Sequence, residues 1–164
     1  PPLSLFYQYG YRTYGIEIEV QPLSKAKMFC KENQMPLNIF RGDMRRIPFG
    51  DESFSFVYSF NAIFFMTKPD IEITMGEIER VLKPQGLCYV NFISMDDPDN
   101  SMFCNTAPAR KLLKSDRFAK HEDDVADEYF ENLYVIRKEK RLIEKIHGNR
   151  LLRQAYIEYI AQNK

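Results

Sequence analysis

Leu87-Cys88-Tyr89-Val90-Asn91-Phe92-Ile93 is apolar at every position except Asn91. A run of that kind suits a strand covered on both faces, as at the centre of a parallel sheet. Parallel neighbours need crossover connections, and the preceding residues supply one. Ile71, Met75, Ile78 and Leu82 recur at i, i+4, i+7 and i+11, one face of a helix that begins near Pro69 and is terminated by Lys83-Pro84-Gln85-Gly86. Before it, Phe54 to Ser59 reads as a strand followed by an apolar turn from Ile63 to Met66. Further upstream, Tyr14 to Val20 is β-rich, and Pro22 opens a helix through about Asn33 with Leu23, Ala26 and Phe29 on one side. Leu37 to Phe40 makes another short strand, closed by Arg41-Gly42-Asp43, and Ile47 to Asp51 is turn chemistry. Pro1 and Pro2 suit the first turn of a helix whose cap would lie upstream, so the beginning reads like a cut.

After the apolar run, Ser94 to about His121 has little periodicity. Such a length is uncommon in a compact domain unless the loop is functional. Glu122 to Glu131 reads as a short acidic helix, and Leu133 to Ile146 and Arg150 to Ile160 as two long strands about His147-Gly148-Asn149. Alternating strands and helices ending in a hairpin predict an α/β fold, with a mostly parallel sheet and a C-terminal antiparallel hairpin. No repeat or Pro/Gly/Ser linker interrupts the chain, so residues 1–164 are expected to form a single domain.

Composition narrows the partners. The chain has 23 Lys+Arg and 23 Asp+Glu, a formal net charge of zero, so no whole-molecule field favours nucleic acid or an anionic membrane. A small-molecule ligand is the default. Cys30, Cys88 and Cys104 are odd in number and widely spaced, and no apolar run is long enough to span a bilayer. A cytoplasmic protein is expected. His121 and His147 are the only histidines, which leaves no zinc spacing. Asp96, Asp97 and Asp99 offer oxygen ligands, but an acidic Pro-containing loop is more often solvated, and no metal is expected. Arg137, Lys138, Lys140, Arg141 and Lys145 make the hairpin basic, with Glu139 and Glu144 interleaved. A polar sheet face explains that pattern better than RNA binding.

In an open α/β sheet, ligands bind beyond the carboxyl ends of the strands, where Glu17 and Asp43 fall. A strand-end carboxylate suits a ribose diol, each charge-assisted hydrogen bond being worth roughly 1.5–3 kcal/mol. Glu17 fits that task. Asp43 suits an exocyclic adenine amine, with the thioether of Met44 against the ring. The plainer alternative leaves Glu17 a solvated charge and Asp43 a turn residue after Gly42.

Gly15-Ile16-Glu17-Ile18, Arg41-Gly42-Asp43-Met44 with Ile47-Pro48-Phe49-Gly50-Asp51-Glu52-Ser53-Phe54, Val57-Tyr58-Ser59-Phe60, and Glu77 to Gly86 occur in that order. The order resembles class I, S-adenosylmethionine-dependent methyltransferases of the small-molecule type. The resemblance covers about Tyr14 to Ile93 and implies a Rossmann-like three-layer sandwich. By resemblance, Glu17 takes the cofactor ribose, with Ile18 in the same motif, Asp43 and Met44 lie at the adenine, and Ser59 contacts the cofactor. Glu77 to Gly86 is the family's "E-x-x-RVLKPGG" scaffold. Ser55 stands where relatives usually have Asp, Phe65 where His is common, and Gln85 replaces the first glycine of "PGG". Phe65 removes an imidazole near the acceptor, so no catalytic base is assigned. The family's first strand and glycine-rich turn have no counterpart in the sequence from Pro1 onward, and would be expected before Pro1. Their absence would detach the second and third strands of the family's sheet, so a longer natural N-terminus is expected.

These features imply methyl transfer to an unidentified small-molecule N, O or C nucleophile, mostly by positioning. Asn61 to Met66 and Ser94 to His121 are the expected acceptor pocket and lid. The alternative is a non-catalytic methyltransferase-like protein that binds a partner. A nicotinamide-dependent dehydrogenase shares the ribose-binding acid, but the motif order favours methyl transfer. Oligomeric state is not legible.

Overall fold

A computed structural model describes residues 2–98, 119–147 and 150–164. It contains two compact units, Pro1–Pro48 and Phe49–Lys164.

In the first unit, α1 (Pro2–Gln8) precedes β1 (Tyr14–Glu17), α2 (Val20–Glu32) and β2 (Asn38–Arg41). β1 and β2 pair in parallel, from Tyr14 opposite Asn38 to Glu17 opposite Arg41. The helix begins two residues before the expected Pro22, and the strand stops three residues short of Val20. The reason is local: Glu17 Oε1 accepts the Glu19 backbone N–H at 2.9 Å, which draws the chain out of the strand and into the helix. Pro22 then falls in the first helical turn, where a missing N–H costs nothing. At the other end, Asn33 donates its side-chain amide to the Phe29 carbonyl at 2.8 Å and closes the helix.

The second unit runs β3 (Phe54–Ser59), a 3-10 turn (Ile63–Phe65), α3 (Lys68–Val81), β4 (Leu82–Ser94), β5 (Lys120–His121), a 3-10 stretch (Val125–Phe130), β6 (Leu133–His147) and β7 (Arg150–Asn163). Its strands lie in the order β3-β4-β7-β6, with β5 against β4. The apolar run Leu87–Ile93 is central as expected. Its neighbours differ in sense: β3 is parallel, from Phe56 opposite Leu87 to Ser59 opposite Val90, whereas β7 is antiparallel, from Leu87 opposite Gln162 to Ile93 opposite Tyr156. α3 is capped by Thr67, whose Oγ1 accepts the Asp70 N–H at 3.3 Å, and it buries Ile71, Thr74, Met75, Ile78 and Val81.

Three expectations change here. Leu82 opens β4 rather than closing the helix, and the expected turn Lys83–Gly86 is an irregularity within the strand, where pairing shifts between Phe54 opposite Leu82 and Phe56 opposite Leu87. Gln85 takes φ 62° there, and a Cβ on Gly86 would stand 2.8 Å from the Lys83 carbonyl oxygen. The acidic helix is a 3-10 stretch of six residues. β5, two residues long, has no periodicity to betray it.

The motif pairing has a structural cause. Arg80, from the RVLKP helix end, donates to the Phe49 carbonyl at 2.9 Å and to Asp51 at 2.8 Å, and holds Glu77 at 2.7 Å. The helix end and the Phe49–Asp51 turn therefore fold as one piece. The core of this unit gathers Phe92, Phe130 and Tyr159, with Phe130 stacked on Tyr159 at 4.4 Å between centroids. Fully burying side chains of this size contributes roughly 1.5–3 kcal/mol each. Phe64, Ile93 and Tyr156 form a second buried cluster, joined by Ile143.

β1 and β2 thus form a sheet of their own, apart from the five-stranded one. Among the described residues, β1 has no strand partner other than β2, and β3 none other than β4.

Candidate functional site

Glu17 is the last residue of β1, at its carboxyl end. One carboxylate oxygen is held by the Glu19 N–H. Among the described residues, the other takes no hydrogen bond. The carboxylate is therefore fixed in orientation while keeping acceptor capacity for a diol. Ile18 follows with its side chain exposed.

The neighbouring strand brings Asp43 to the same end of this small sheet. Gly42 donates its N–H to the Glu17 carbonyl at 3.1 Å. A Cβ on Gly42 would lie 3.1 Å from Ile16 Cγ2 and 3.2 Å from Ile16 Cβ, so the close return of the chain past Ile16 favours glycine. Asp43 to Arg46 then forms a turn, closed by the Arg46 N–H on the Asp43 carbonyl at 3.0 Å, with Met44 half-buried within it.

Sequence reasoning missed Arg45. Its backbone N–H reaches Asp43 Oδ1 at 2.9 Å, and its guanidinium grips both oxygens, with Nη2 2.6 Å from Oδ2. These hydrogen bonds hold the Asp43 carboxyl below the usual carboxylate range. The Asp-x-Arg spacing inside a turn was the available signal. The pair is partly solvated, and exposed pairs contribute about 0–1 kcal/mol, so a ligand amine can share the carboxylate at small cost.

Ser59, in the second unit, ends β3, and its buried Oγ has no hydrogen-bond partner among the described residues. An unsatisfied buried hydroxyl costs roughly 1–3 kcal/mol, which is recovered if a ligand pairs with it. Two residues later Asn61 adopts φ 58°. Its N–H donates to Asn91 Oδ1 at 2.8 Å, and Asn91 Nδ2 donates to Asn61 Oδ1 at 2.9 Å. Asn91 is fully buried. The single polar residue of the central run thus clamps the turn that follows β3, a role sequence reasoning missed although the residue stood out. Asn91→Leu is expected to cost about 1–3 kcal/mol in urea unfolding, by orphaning the Asn61 groups. A variant as stable as wild type would remove the clamp.

The other singled-out residues have protein partners. Asp97 Oδ2 accepts the Ala155 N–H at 2.8 Å, and Asp96 pairs with Lys140. His121 is buried, with Nε2 3.1 Å from the Tyr129 hydroxyl and its ring 5.3 Å from that of Phe92. Loss of solvent pushes its pKa down to about 4, so the ring is neutral near pH 7. Among the described residues, no three His, Cys, Asp or Glu side chains gather as a metal site. Of the expected acceptor segments, residues 99–118 and the Phe65 side chain lie outside the described residues, as does Asp99.

A family model described as "Methyltransferase domain" matches residues 2–90, just over half of the chain. The chain is 40% identical over 96 residues to sterol 24-C-methyltransferase erg6 of Schizosaccharomyces pombe, covering 57% of this chain and 25% of that protein. Against sterol 24-C-methyltransferase ERG6B of Gibberella zeae it is 31% identical over 94 residues, covering 56% and 24%. It therefore spans about a quarter of the length of these relatives. In fold it is similar to the crystal structure of the PH0226 protein from Pyrococcus horikoshii, with TM-score 0.71, 18% identity, and coverage of 98% of this chain and 76% of that one.

Proposed function

The chain belongs to the methyltransferase domain family, and from that premise we propose that it binds S-adenosylmethionine and serves methyl transfer to a small-molecule acceptor. The observation that carries the reading is the strand-end pair: Glu17 with an oriented, half-used carboxylate, and Asp43 brought beside its strand end by Gly42. Glu17 would accept from the ribose hydroxyls, with Ile18 beside the nucleoside. Asp43 would accept from the adenine amine while retaining Arg45, and Met44 would pack on the ring. By the family resemblance, the unpaired Ser59 hydroxyl would supply a further polar contact to the cofactor. When bound, the cofactor supplies a sulfonium-activated methyl group for in-line displacement. The work of the chain is to orient that group, hold the acceptor at attack distance and exclude water.

The sterol 24-C-methyltransferase relatives make an apolar molecule with a carbon nucleophile the first acceptor class to screen. Isothermal titration of the complete protein with S-adenosylmethionine tests the reading. Saturable binding is expected, and Ser59→Ala should weaken it about 3- to 10-fold, the worth of one hydrogen bond. Because the hydroxyl is unpaired without ligand, the same change should leave ligand-free stability unchanged or raised. No measurable heat on the wild-type protein would sink the proposal.

A further inference from the structure

β6 and β7 run on past the end of β4. Pairing between β4 and β7 reaches Ile93 opposite Tyr156, whereas β6 and β7 continue from Arg141 opposite Tyr156 to His147 opposite Arg150. Gln154, opposite Ile143, therefore lies just beyond the carboxyl end of β4, the side on which sheets of this class take ligands. Asp97 fixes the backbone there: after β4 has ended, its Oδ2 accepts the Ala155 N–H at 2.8 Å.

Alternate residues of a strand share a face, and so do residues opposed across an antiparallel pair. Gln154 thus shares a face with Ile143, Tyr156 and Ile93. Phe64, from the turn after β3, packs on this group. Phe60 meets the Tyr156 ring edge-on at 5.8 Å between centroids and keeps 37% of its surface exposed. In this apolar setting Gln154 is only 3% exposed, yet among the described residues its Nε2 has no hydrogen-bond partner. Buried amides are nearly always paired, and an aliphatic side chain would suit these neighbours better. A donor kept there without a partner points to a partner that arrives from outside. Ser59, level with Val90, falls on the opposite face and nearer the middle of β4, so the two unpaired groups meet different partners.

We propose that Gln154 is a recognition residue for the methyl acceptor, its amide donating to a hydroxyl oxygen on a molecule whose apolar body lies against Phe60. The assignment of this molecule as the acceptor rests on the methyl-transfer reading. One donor in an apolar frame selects a single oxygen on a hydrocarbon skeleton. An ionised acceptor would need an opposing charge, and Arg141, the charge nearest in register, is engaged by Glu158 at 3.1 Å. A site built to hydrogen-bond a ligand oxygen discriminates strongly against the analogue that lacks it, because the buried donor then stays unpaired. Gln154 lies outside both segments from which the sequence led us to expect acceptor contacts, since nothing in a strand's own pattern shows which of its side chains overhangs a neighbour.

Titration of the isotope-labelled complete protein with cholestanol delivered from cyclodextrin, and with cholestane, the same skeleton without the oxygen, tests the proposal. Cholestanol is expected to shift the Gln154 side-chain amide signals saturably, and cholestane to bind about 10-fold more weakly or worse. Gln154→Met, close in length and volume, should lose about 10-fold in affinity for cholestanol. It should also unfold at a higher urea concentration than wild type, because no buried donor is left unpaired. Absence of cholestanol binding, equal affinity for the two compounds, or undiminished affinity in the Gln154→Met protein would overturn the proposal. So would a Gln154→Met protein that unfolds at lower urea, the mark of an amide held by internal water. Cholestanol binding through Gln154 in a protein that gives no heat with S-adenosylmethionine would support the contact and refute the cofactor reading, so the two failures are distinguishable.

Discussion

Glu17→Ala is expected to lower affinity for S-adenosylmethionine about 10- to 100-fold. Charge-assisted hydrogen bonds are worth roughly 1.5–3 kcal/mol each, and about 1.4 kcal/mol is a factor of ten in affinity. The substitution also removes the acceptor for the Glu19 N–H, so part of its effect is on the entry to α2. Glu17→Gln separates the two roles: its amide oxygen can keep the Glu19 contact, while the charge that strengthens the diol contacts is gone. Calorimetric titration should therefore show Gln with much of the affinity loss of Ala but closer to wild-type thermal stability. Equal affinity in all three proteins would leave Glu17 as a helix-entry residue and no more.

The second large effect is on stability. His121 is buried, and in the folded chain it takes up a proton only near pH 4, against an ordinary value near 6.5 in the unfolded chain. Between those two values the unfolded state binds more protons, so stability falls as pH is lowered through that window, by up to about 3 kcal/mol. Above 6.5 the contribution is complete; below about 4 both states are protonated and this group adds no further loss. His121→Phe removes the titration while keeping a ring against Phe92. Urea unfolding over the window should give a shallower pH dependence for the variant, since the carboxylates are common to both proteins. Parallel curves would show that His121 does not carry this proton linkage.

The sequence was most legible where chemistry and periodicity coincide. The central strand announced itself by continuous apolarity, α3 by its spacing, and β3 by its ends. Boundaries failed where a side chain competed with the backbone, as at Glu17, or where irregular pairing absorbed a turn signal, as at Lys83–Gly86. β5 was invisible because it is held by the end of β4 rather than by any pattern of its own. Candidate cofactor residues could be proposed in order from Glu17 to Ser59, but the protein partners of such residues could not. Arg45 on Asp43, and Asn91 on Asn61, are contacts that only the folded backbone creates. The overhang of β6 and β7 was hidden for the same reason. Strand lengths were readable, but how far each pairs with its neighbour depends on register.

Backbone amide shifts of the isotope-labelled complete protein, followed during titration with S-adenosylmethionine, bear most directly on the central claim. The account predicts saturable shifts at Glu17–Glu19, at Asp43–Arg46 and at Ser59–Asn61, with the Glu17 region abolished first by Glu17→Ala. Saturable shifts that leave these three segments unmoved would contradict it.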